Sequence, residues 1–181
     1  MPEVIYYVAC SLDGFIATPD GGLDWLTPFE ASGEDYGYAE FYGSVDAVVL
    51  GSRTFEQALT FGEWPYPGKP SWVMSSRAIA PGRDDVTVTS RTPAEVVADI
   101  ELLEIGRIWL VGGGALAGSF QAAGLITEFV VSFIPVILGE GVPLLGAAGA
   151  RETLRLVSTK AYPDGVVQAR YVGVDDGRRV R

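Results

Sequence analysis

The feature that most constrains this chain is a series of eight short apolar runs, rich in β-branched and aromatic residues, that predict β-strands. The runs are Val4–Ala9, Ala47–Leu50, Ser71–Met74, Val86–Thr89, Ile108–Val111, Glu128–Ile134, Leu154–Lys160 and Val166–Val172. The central runs are almost continuously apolar, which is typical of strands buried on both faces of a parallel sheet. The last two alternate more and are joined by Tyr162-Pro-Asp-Gly165, which indicates an antiparallel hairpin.

Helical periodicity lies between the earlier strands, at Glu34–Tyr42, at Thr54–Leu59, from Pro93 to Leu103 and at Ala115–Ala123. The third segment has the clearest beginning, because Thr92 can cap a helix in which Glu95 completes a capping box. Strands that alternate with helices and end in a hairpin predict an α/β fold. We therefore expect a mixed, mostly parallel sheet of about eight strands, with helices on both faces and a C-terminal antiparallel hairpin.

Length and charge limit the domain organisation and the ligands. A chain of 181 residues suggests one domain, which we place at residues 1–175, followed by a basic tail at 176–181. A formal net charge of −10 argues against binding to nucleic acid, which requires a basic surface. The absence of His excludes histidine acid–base chemistry and, with a single Cys, argues against a zinc site.

The sequence has no recognisable export signal or membrane span. No basic N-terminal segment leads into an apolar stretch, and no apolar run reaches the roughly 18 residues that a span needs. The single Cys10 cannot form an intrachain disulfide and fits a reducing compartment. We therefore expect a cytoplasmic protein with no membrane partner.

Three glycines stand between the fifth predicted strand and the last predicted helix, in Arg107-Ile-Trp-Leu-Val-Gly-Gly-Gly-Ala-Leu116. A helix that begins directly after a strand presents free backbone N–H groups and the positive end of its dipole, which suits a phosphate. Glycines also let a flat ligand lie on the backbone. The run predicts a nucleotide or dinucleotide cofactor, but it is not the Rossmann fingerprint, since no early strand carries one.

Two other predicted strands also end in residues that suit a phosphate. Gly51-Ser-Arg-Thr54 and Ser75-Ser-Arg77 each follow a strand directly, as Gly112-Gly-Gly114 does. Ligands of open α/β sheets bind beyond the carboxyl ends of the strands, so the three segments could surround one large anionic ligand. Each segment alone is equally compatible with an ordinary cap or turn.

Several side chains near these strand ends have both a functional and a structural interpretation. Arg53, Arg77 and Arg91 could each pair with a ribose phosphate, or could be solvated surface residues. Asp13 lies in an Asp-Gly turn signature. Asp35 lies near a predicted helix start, where a carboxylate is favourable in any case.

With these motifs in place, the chain resembles the dihydrofolate reductase-like superfamily, and within it the riboflavin-biosynthesis reductase (RibD) C-terminal domain family. The motifs occur in the family's order over nearly the whole chain. They are Ser11-Leu-Asp-Gly-Phe-Ile-Ala17 with Trp25, Val49-Leu-Gly-Ser-Arg-Thr-Phe-Glu56, Pro67-Gly-Lys-Pro70 with Val73-Met-Ser-Ser-Arg77, Leu110-Val-Gly-Gly-Gly114, Gly124-Leu-Ile-Thr-Glu128 and Ile134-Pro-Val-Ile-Leu-Gly-Glu-Gly-Val-Pro-Leu-Leu145. The resemblance implies the three-layer α/β fold of this superfamily.

The resemblance also implies an NADPH-dependent reductase and assigns residues to the cofactor. Carried over, the cofactor-binding positions are Ala9, Ile16, Gly51, Ser52, Arg53, Thr54, Ser75, Ser76, Arg77, Arg91, Val111, Gly112, Gly113, Gly114, Ala115 and Leu116. Of these, Ala9 and Ile16 would line the nicotinamide pocket. The superfamily often has a cis peptide bond in its glycine run, so we expect one between Gly112 and Gly113.

The implied reaction is the transfer of a hydride to a planar C=N or C=O group, as in 5-amino-6-(5-phosphoribosylamino)uracil reductase. Folate reductases carry an acid in the pocket helix, and Asp35 falls at that position on a gap-free count back from Gly51. If a proton donor is needed, Asp35 is the first candidate and Asp13 the second, as a buried carboxyl of raised pKa. Trp25 and Phe29 are candidates to cover the substrate, and Trp25 could equally be a core aromatic.

Two alternatives remain open from the sequence. Dihydrofolate reductase activity is one alternative, because Asp35 falls at the position of the folate reductases' acid, although the riboflavin branch does not rely on an acid there. A nucleotide-binding module without turnover is the other, because the sequence has no certain catalytic acid. Members of the family commonly pair, which implies a homodimer. The loop Gly139–Pro143 would then shape either a dimer contact or the rim of the pocket.

Overall fold

The computed structural model of the chain describes residues 1–146 and 150–174, so the predicted basic tail at 176–181 lies outside the described residues. The strands are β1 Glu3–Ser11, β2 Phe15–Ala17, β3 Ala47–Gly51, β4 Ser71–Met74, β5 Val86–Thr89, β6 Arg107–Gly112, β7 Glu128–Ile134, β8 Val142–Pro143, β9 Leu154–Ala161 and β10 Val167–Gly173. The α-helices are α1 Thr27–Glu30, α2 Tyr38–Ser44, α3 Ser52–Ala58, α4 Pro93–Glu101 and α5 Gly114–Ala122. Short 3-10 helices cover Asp24–Leu26 and Leu59–Phe61.

Eight of the strands form one sheet in the order β5-β4-β3-β6-β1-β7-β10-β9. The first six in this order run parallel to one another, and β10 is antiparallel to both β7 and β9. The predicted fold class, including the C-terminal hairpin, is therefore confirmed. The sequence did not predict β2 and β8, which pair in a separate two-stranded sheet.

Helix α4 begins as predicted, because the side chain of Thr92 accepts the backbone N–H of Glu95 and the Glu95 carboxylate accepts the N–H of Thr92. The prediction for the first long helix is wrong at its start, since α2 begins at Tyr38 and not at Glu34. The Asp35 carboxylate accepts the N–H groups of Gly37 and Ala39, and Gly37 has a φ of +79°. This turn occupies the residues where helix had been expected.

Helices cover both faces of the sheet and define three layers. On one face, Val97 and Ile100 of α4 and Phe120 of α5 pack on Tyr6 and Leu110. On the other face, α2 and α3 cover a second core. Its main members are Ile5, Val48, Leu50, Phe55, Ala58, Val73 and Trp109, with Phe41 and Tyr42 packed against them. The strands between the two cores are apolar on both sides, as the continuous apolar runs predicted.

Candidate functional site

The topological switch point of the sheet lies at its carboxyl edge between β3 and β6, and we call this position the crevice. These neighbouring strands end side by side, since Leu50 pairs with Gly112. The helix that follows β3 packs on one face of the sheet, and the helix that follows β6 packs on the other. Loops that diverge in this way leave an opening at the point where the topology switches, which is where ligands of open α/β sheets bind.

Two of the three predicted phosphate segments meet at this crevice. A Cβ atom added at Gly113 would lie 3.6 Å from Oγ1 of Thr54, and one at Gly51 would lie 3.7 Å from the carbonyl oxygen of Gly112. Backbone therefore forms the surface between the start of α3 and the start of α5. The predicted cis peptide bond between Gly112 and Gly113 is confirmed.

The missing Cβ atom has a structural reason at Gly112 and at Gly114. At Gly112, where φ is +110°, a Cβ atom would lie 3.4 Å from the Tyr6 ring, and the closer approach is at Gly114. A side chain at this position would overlap the carbonyl oxygen of Pro143, and the backbone N–H of Gly146 donates to the Gly114 carbonyl oxygen at 2.7 Å. The missing Cβ atom of Gly114 thus makes room for the chain's own backbone. The idea that all three glycines leave space for a ligand is wrong at this position.

The third predicted segment continues along the same edge. Gly51 pairs with Met74, so Ser75 follows at the end of the adjacent strand. The Ser75 hydroxyl accepts the backbone N–H of Arg77 at 3.0 Å and donates to the Arg77 carbonyl oxygen at 2.9 Å. This hydroxyl forms a local turn, while Ser76 beside it is exposed.

The three candidate arginines differ in their partners. The guanidinium of Arg77 donates to both carboxylate oxygens of Glu56, at 3.0 and 3.1 Å. Arg91 forms an ion pair with Asp99 of α4. The exposed guanidinium of Arg53, in the first turn of α3, forms no hydrogen bond or ion pair with the residues that the structure describes. Among the described residues, an anion that binds Arg53 would therefore displace no ion pair, whereas one that binds Arg77 or Arg91 would compete with a carboxylate.

Neither candidate acid is a buried carboxyl of raised pKa, so that expectation is corrected. The Asp13 carboxylate accepts the Ser11 hydroxyl and the N–H groups of Leu138 and Gly139, and these bonds lower its pKa. Hydrogen bonds from the N–H groups of Gly37 and Ala39 lower the pKa of Asp35. Both side chains are exposed and ionised at neutral pH.

Asp13 also explains the position of the loop that the sequence linked to a dimer contact or a pocket rim. Its carboxylate holds the N–H of Gly139, at the start of Gly139–Pro143. The same loop continues into β8, which pairs with β2. The loop therefore lies against the turn that follows β1, at the carboxyl edge of the sheet.

An aromatic cluster lies further along the same edge of the sheet, at the carboxyl ends of β1 and β7. We define the aromatic cluster as Trp25, Phe29, Tyr36 and Tyr162 with Ala9 and Ile134. The structure thus brings the two predicted substrate residues together with Ala9. Ile16, predicted for the same pocket as Ala9, is partly buried and packs against the core under α4 and α5. The indole Nε1 of Trp25 is buried and has no hydrogen-bond partner among the described residues.

Sequence reasoning missed a polar network beneath this cluster. The amide Nε2 of Gln168 donates to Ser132 Oγ at 3.0 Å, to the Tyr36 carbonyl oxygen at 3.1 Å and to Tyr7 Oη at 3.4 Å. The Tyr7 ring stacks on Phe41 with centroids 4.0 Å apart, and burial raises the pKa of Tyr7 to about 12. No local signal could have found this network, because Tyr7 and Gln168 are 161 positions apart.

A three-layer α/β sheet with this strand order and a late glycine run has the dihydrofolate reductase-like fold. The family described as "RibD C-terminal domain" matches residues 2–168. The chain belongs to the RibD C-terminal domain family.

Three comparisons illustrate this membership. The chain is 36% identical to the uncharacterized protein YwjB of Bacillus subtilis over 171 residues, which cover 94% of this chain and 97% of that protein. It is 29% identical to riboflavin biosynthesis protein RibD of Corynebacterium ammoniagenes over 158 residues, which are 80% of this chain and 46% of that protein. A crystal structure from Shewanella sp. PV-4, provisionally named as a riboflavin biosynthesis protein, superposes with a TM-score of 0.85 at 29% identity, covering 96% and 99% of the two chains.

In the part of the chain that the structure describes, no helix is both long enough and apolar enough to cross a membrane.

Proposed function

We propose that this protein is an NADPH-dependent reductase that delivers a hydride to a planar C=N or C=O group of a small molecule. The observation that carries the proposal is the switch point between β3 and β6, where the partly exposed Gly51 and Gly113 come together. The exposed Arg53 stands in the first turn of the helix that follows Gly51. Membership of a family that includes a riboflavin biosynthesis protein supports the same assignment.

The residues of the crevice fit a phosphorylated dinucleotide. The partly exposed backbone of Gly51 and Gly113 would accommodate a pyrophosphate, and the N–H groups at the start of α5 favour negative charge. Ser52 and Thr54 add hydroxyl donors beside it, and Arg53 would pair with the 2′-phosphate. When bound, NADPH supplies the hydride, and the chain has to orient it and exclude water.

The aromatic cluster would hold the substrate next to Ala9. Its flat side chains suit a planar ring, and Trp25 and Phe29 would cover that ring from solvent. The acid roles of Asp35 and Asp13 stay predictions that their hydrogen bonds do not favour. A proton would more readily come from water or from a group of the substrate.

The first test is to titrate the protein with NADPH and to follow nicotinamide fluorescence and absorbance. We expect saturable binding, and consumption once a suitable pterin, pyrimidine or quinone-like acceptor is added. Failure to bind NADPH would overturn the proposal. Binding without consumption across the acceptor set would favour the second candidate, a nucleotide-binding module, which the lack of a buried carboxyl at Asp13 and Asp35 keeps open.

We also propose that the protein is a homodimer. All residues of β9 are exposed, and the outer side of this strand pairs with no strand of the described chain. Leu156 and Val157 are 50% and 43% exposed there. Light scattering should give about twice the chain mass, and a monomeric mass at micromolar concentration would refute this part of the proposal.

A further inference from the structure

Charge is distributed unevenly along the crevice. The basic candidates Arg53, Arg77 and Arg91 follow β3, β4 and β5, at the end proposed for the cofactor. In contrast, residues 1–52, which supply β1 and much of the aromatic cluster, contain no Lys and no Arg. Acidic residues in this segment are Glu3, Asp13, Asp20, Asp24, Glu30, Glu34, Asp35, Glu40 and Asp46.

Carboxylates surround Tyr36 within the aromatic cluster. The Tyr36 hydroxyl donates to Asp164, and the Tyr36 backbone N–H donates to Glu34 Oε1 at 3.3 Å. Asp35 is the next residue along the chain. On the basic side, Lys160 places its ammonium 4.5 Å from the centroid of the Tyr162 ring. Among the residues that the structure describes here, these three carboxylates outnumber the one ammonium and give this end of the crevice a negative charge.

The buried polar atom that the cluster leaves without a partner is a neutral donor. The indole Nε1 of Trp25 carries one N–H and no formal charge. Such a donor suits a ring carbonyl or a ring nitrogen. A phosphate dianion is recognised instead by guanidinium groups, ammonium groups or several backbone N–H groups at once.

We propose that the substrate is a planar heterocycle without a phosphate group, and that the site discriminates against phosphate esters. The inference rests on the proposed reductase function and narrows its substrate class. It separates this chain from enzymes that reduce 5-amino-6-(5-phosphoribosylamino)uracil. A phosphate held beside Glu34, Asp35 and Asp164 would face like charges, and like charges at a binding surface exclude a wrong ligand. The phosphates of the cofactor avoid this penalty, because they lie at the arginine end.

The test compares 5-amino-6-ribosylaminouracil with its 5′-phosphate, which differ only in that group. NADPH consumption is measured with each, and if neither is reduced, the two are compared as inhibitors of consumption with the acceptor found in the first test. We expect kcat/KM, or the inhibition constant, to favour the nucleoside by roughly tenfold or more. Equal use of the two, or preference for the phosphate, would overturn the inference.

A charge-reversal variant makes the cause testable. Glu34→Lys should raise the relative use of the phosphate several-fold, with Glu34→Gln intermediate. The matched control is Asp84→Lys, which makes the same charge change at an exposed position before β5, at the opposite edge of the sheet. An equal response in both lysine variants would contradict a local effect. NADPH titration of the same samples distinguishes the two proposals. Loss of cofactor binding would count against the reductase function. Retained binding with a preference for the phosphate would count against the substrate class alone.

Discussion

The carbonyl oxygen of Pro143 occupies the space that a side chain would need at Gly114. The contact fixes the segment after the Gly139–Pro143 loop directly on the first turn of α5, where Gly146 also donates to the Gly114 carbonyl oxygen. The start of α5, on one side of the crevice, therefore depends on a loop that lies 25 to 29 positions further along the chain.

Gly114→Ala is expected to lower the free energy of unfolding by roughly 1–3 kcal/mol, the usual cost of overpacking a tight site. Urea unfolding followed by tryptophan fluorescence measures the change. Gly43→Ala is the control, because a Cβ atom at this helical glycine meets nothing within 4 Å. That variant should be neutral or stabilised by up to about 1 kcal/mol. Equal losses in both variants would show that the Pro143 contact does not matter.

Arg53→Ala should weaken NADPH binding by roughly tenfold to a hundredfold, since hydrogen bonds to charged groups contribute about 1.5–3 kcal/mol. Affinity for NADH should stay within about twofold. Fluorescence titration with both nucleotides measures the ratio. Arg83→Ala is the matched control, because Arg83 pairs with Asp85 before β5 and away from the crevice. Equal losses for the two nucleotides in Arg53→Ala would argue against a 2′-phosphate contact.

Asp13→Ala should lower stability at pH 7, because the carboxylate anchors Gly139 and the Ser11 hydroxyl. The pKa of Asp13 is lowered in the folded chain, first by the Ser11 hydroxyl and then by backbone N–H groups. The stabilisation is therefore present above the unfolded pKa of about 3.9 and is lost as the pH falls through the folded pKa. Urea midpoints of the two proteins should converge as the pH falls below about 4. A constant difference over that range would mean that charge is not involved.

Asp35→Asn should leave kcat/KM for the acceptor within about twofold. General acid catalysis contributes about a hundredfold or more, so a genuine acid would show a far larger loss. The expectation follows from the lowered pKa of Asp35, whose carboxylate is held by the N–H groups of Gly37 and Ala39. Steady-state NADPH consumption decides it. A hundredfold loss with unchanged NADPH affinity would restore Asp35 to the catalytic role.

Trp25→Phe should lower kcat/KM for the acceptor by roughly threefold to tenfold, the equivalent of one neutral hydrogen bond, and should leave the Kd of NADPH unchanged. The comparison is Trp64→Phe, since Nε1 of Trp64 is likewise buried without a partner in the described chain. Trp64 packs against Phe55 and Tyr66 in the core under α3, so its loss should alter neither constant. If both variants behave alike, the Trp25 N–H has no role in recognition.

The sheet could be predicted from sequence because each strand carries a local signal. The runs Ser71–Met74, Val86–Thr89 and Glu128–Ile134 coincide with β4, β5 and β7 to the residue. The start of α4 could be predicted for the same reason, since a capping box involves only four consecutive residues. The start of α2 was predicted wrongly because of Asp35. A side chain that accepts backbone N–H groups can stabilise a turn as well as the first turn of a helix, and the sequence alone does not separate the two.

Features built from distant residues could not be predicted. The pairing of β2 with β8 joins Phe15 to Pro143, and neither strand is long enough to show an alternating pattern. The structural role of Gly114 depends on that same loop. The proximity of the glycine run to the start of α3 could be predicted, because parallel strands end at the same edge of a sheet. Which arginine lacks a carboxylate partner could not, because it depends on the ion pairs of Arg77 and Arg91.

The switch point between β3 and β6 has a mechanical consequence. The helical layers on the two faces are connected through the strands between them. The crevice lies where the helix after β3 packs on one face and the helix after β6 packs on the other. A molecule bound there would link the two layers and stabilise the folded state. Its occupancy should therefore register in heat denaturation of the whole domain, with a gain of about 2.7 kcal/mol at a hundredfold excess over Kd. A melting curve can thus rank dinucleotides for this protein before any acceptor has been identified.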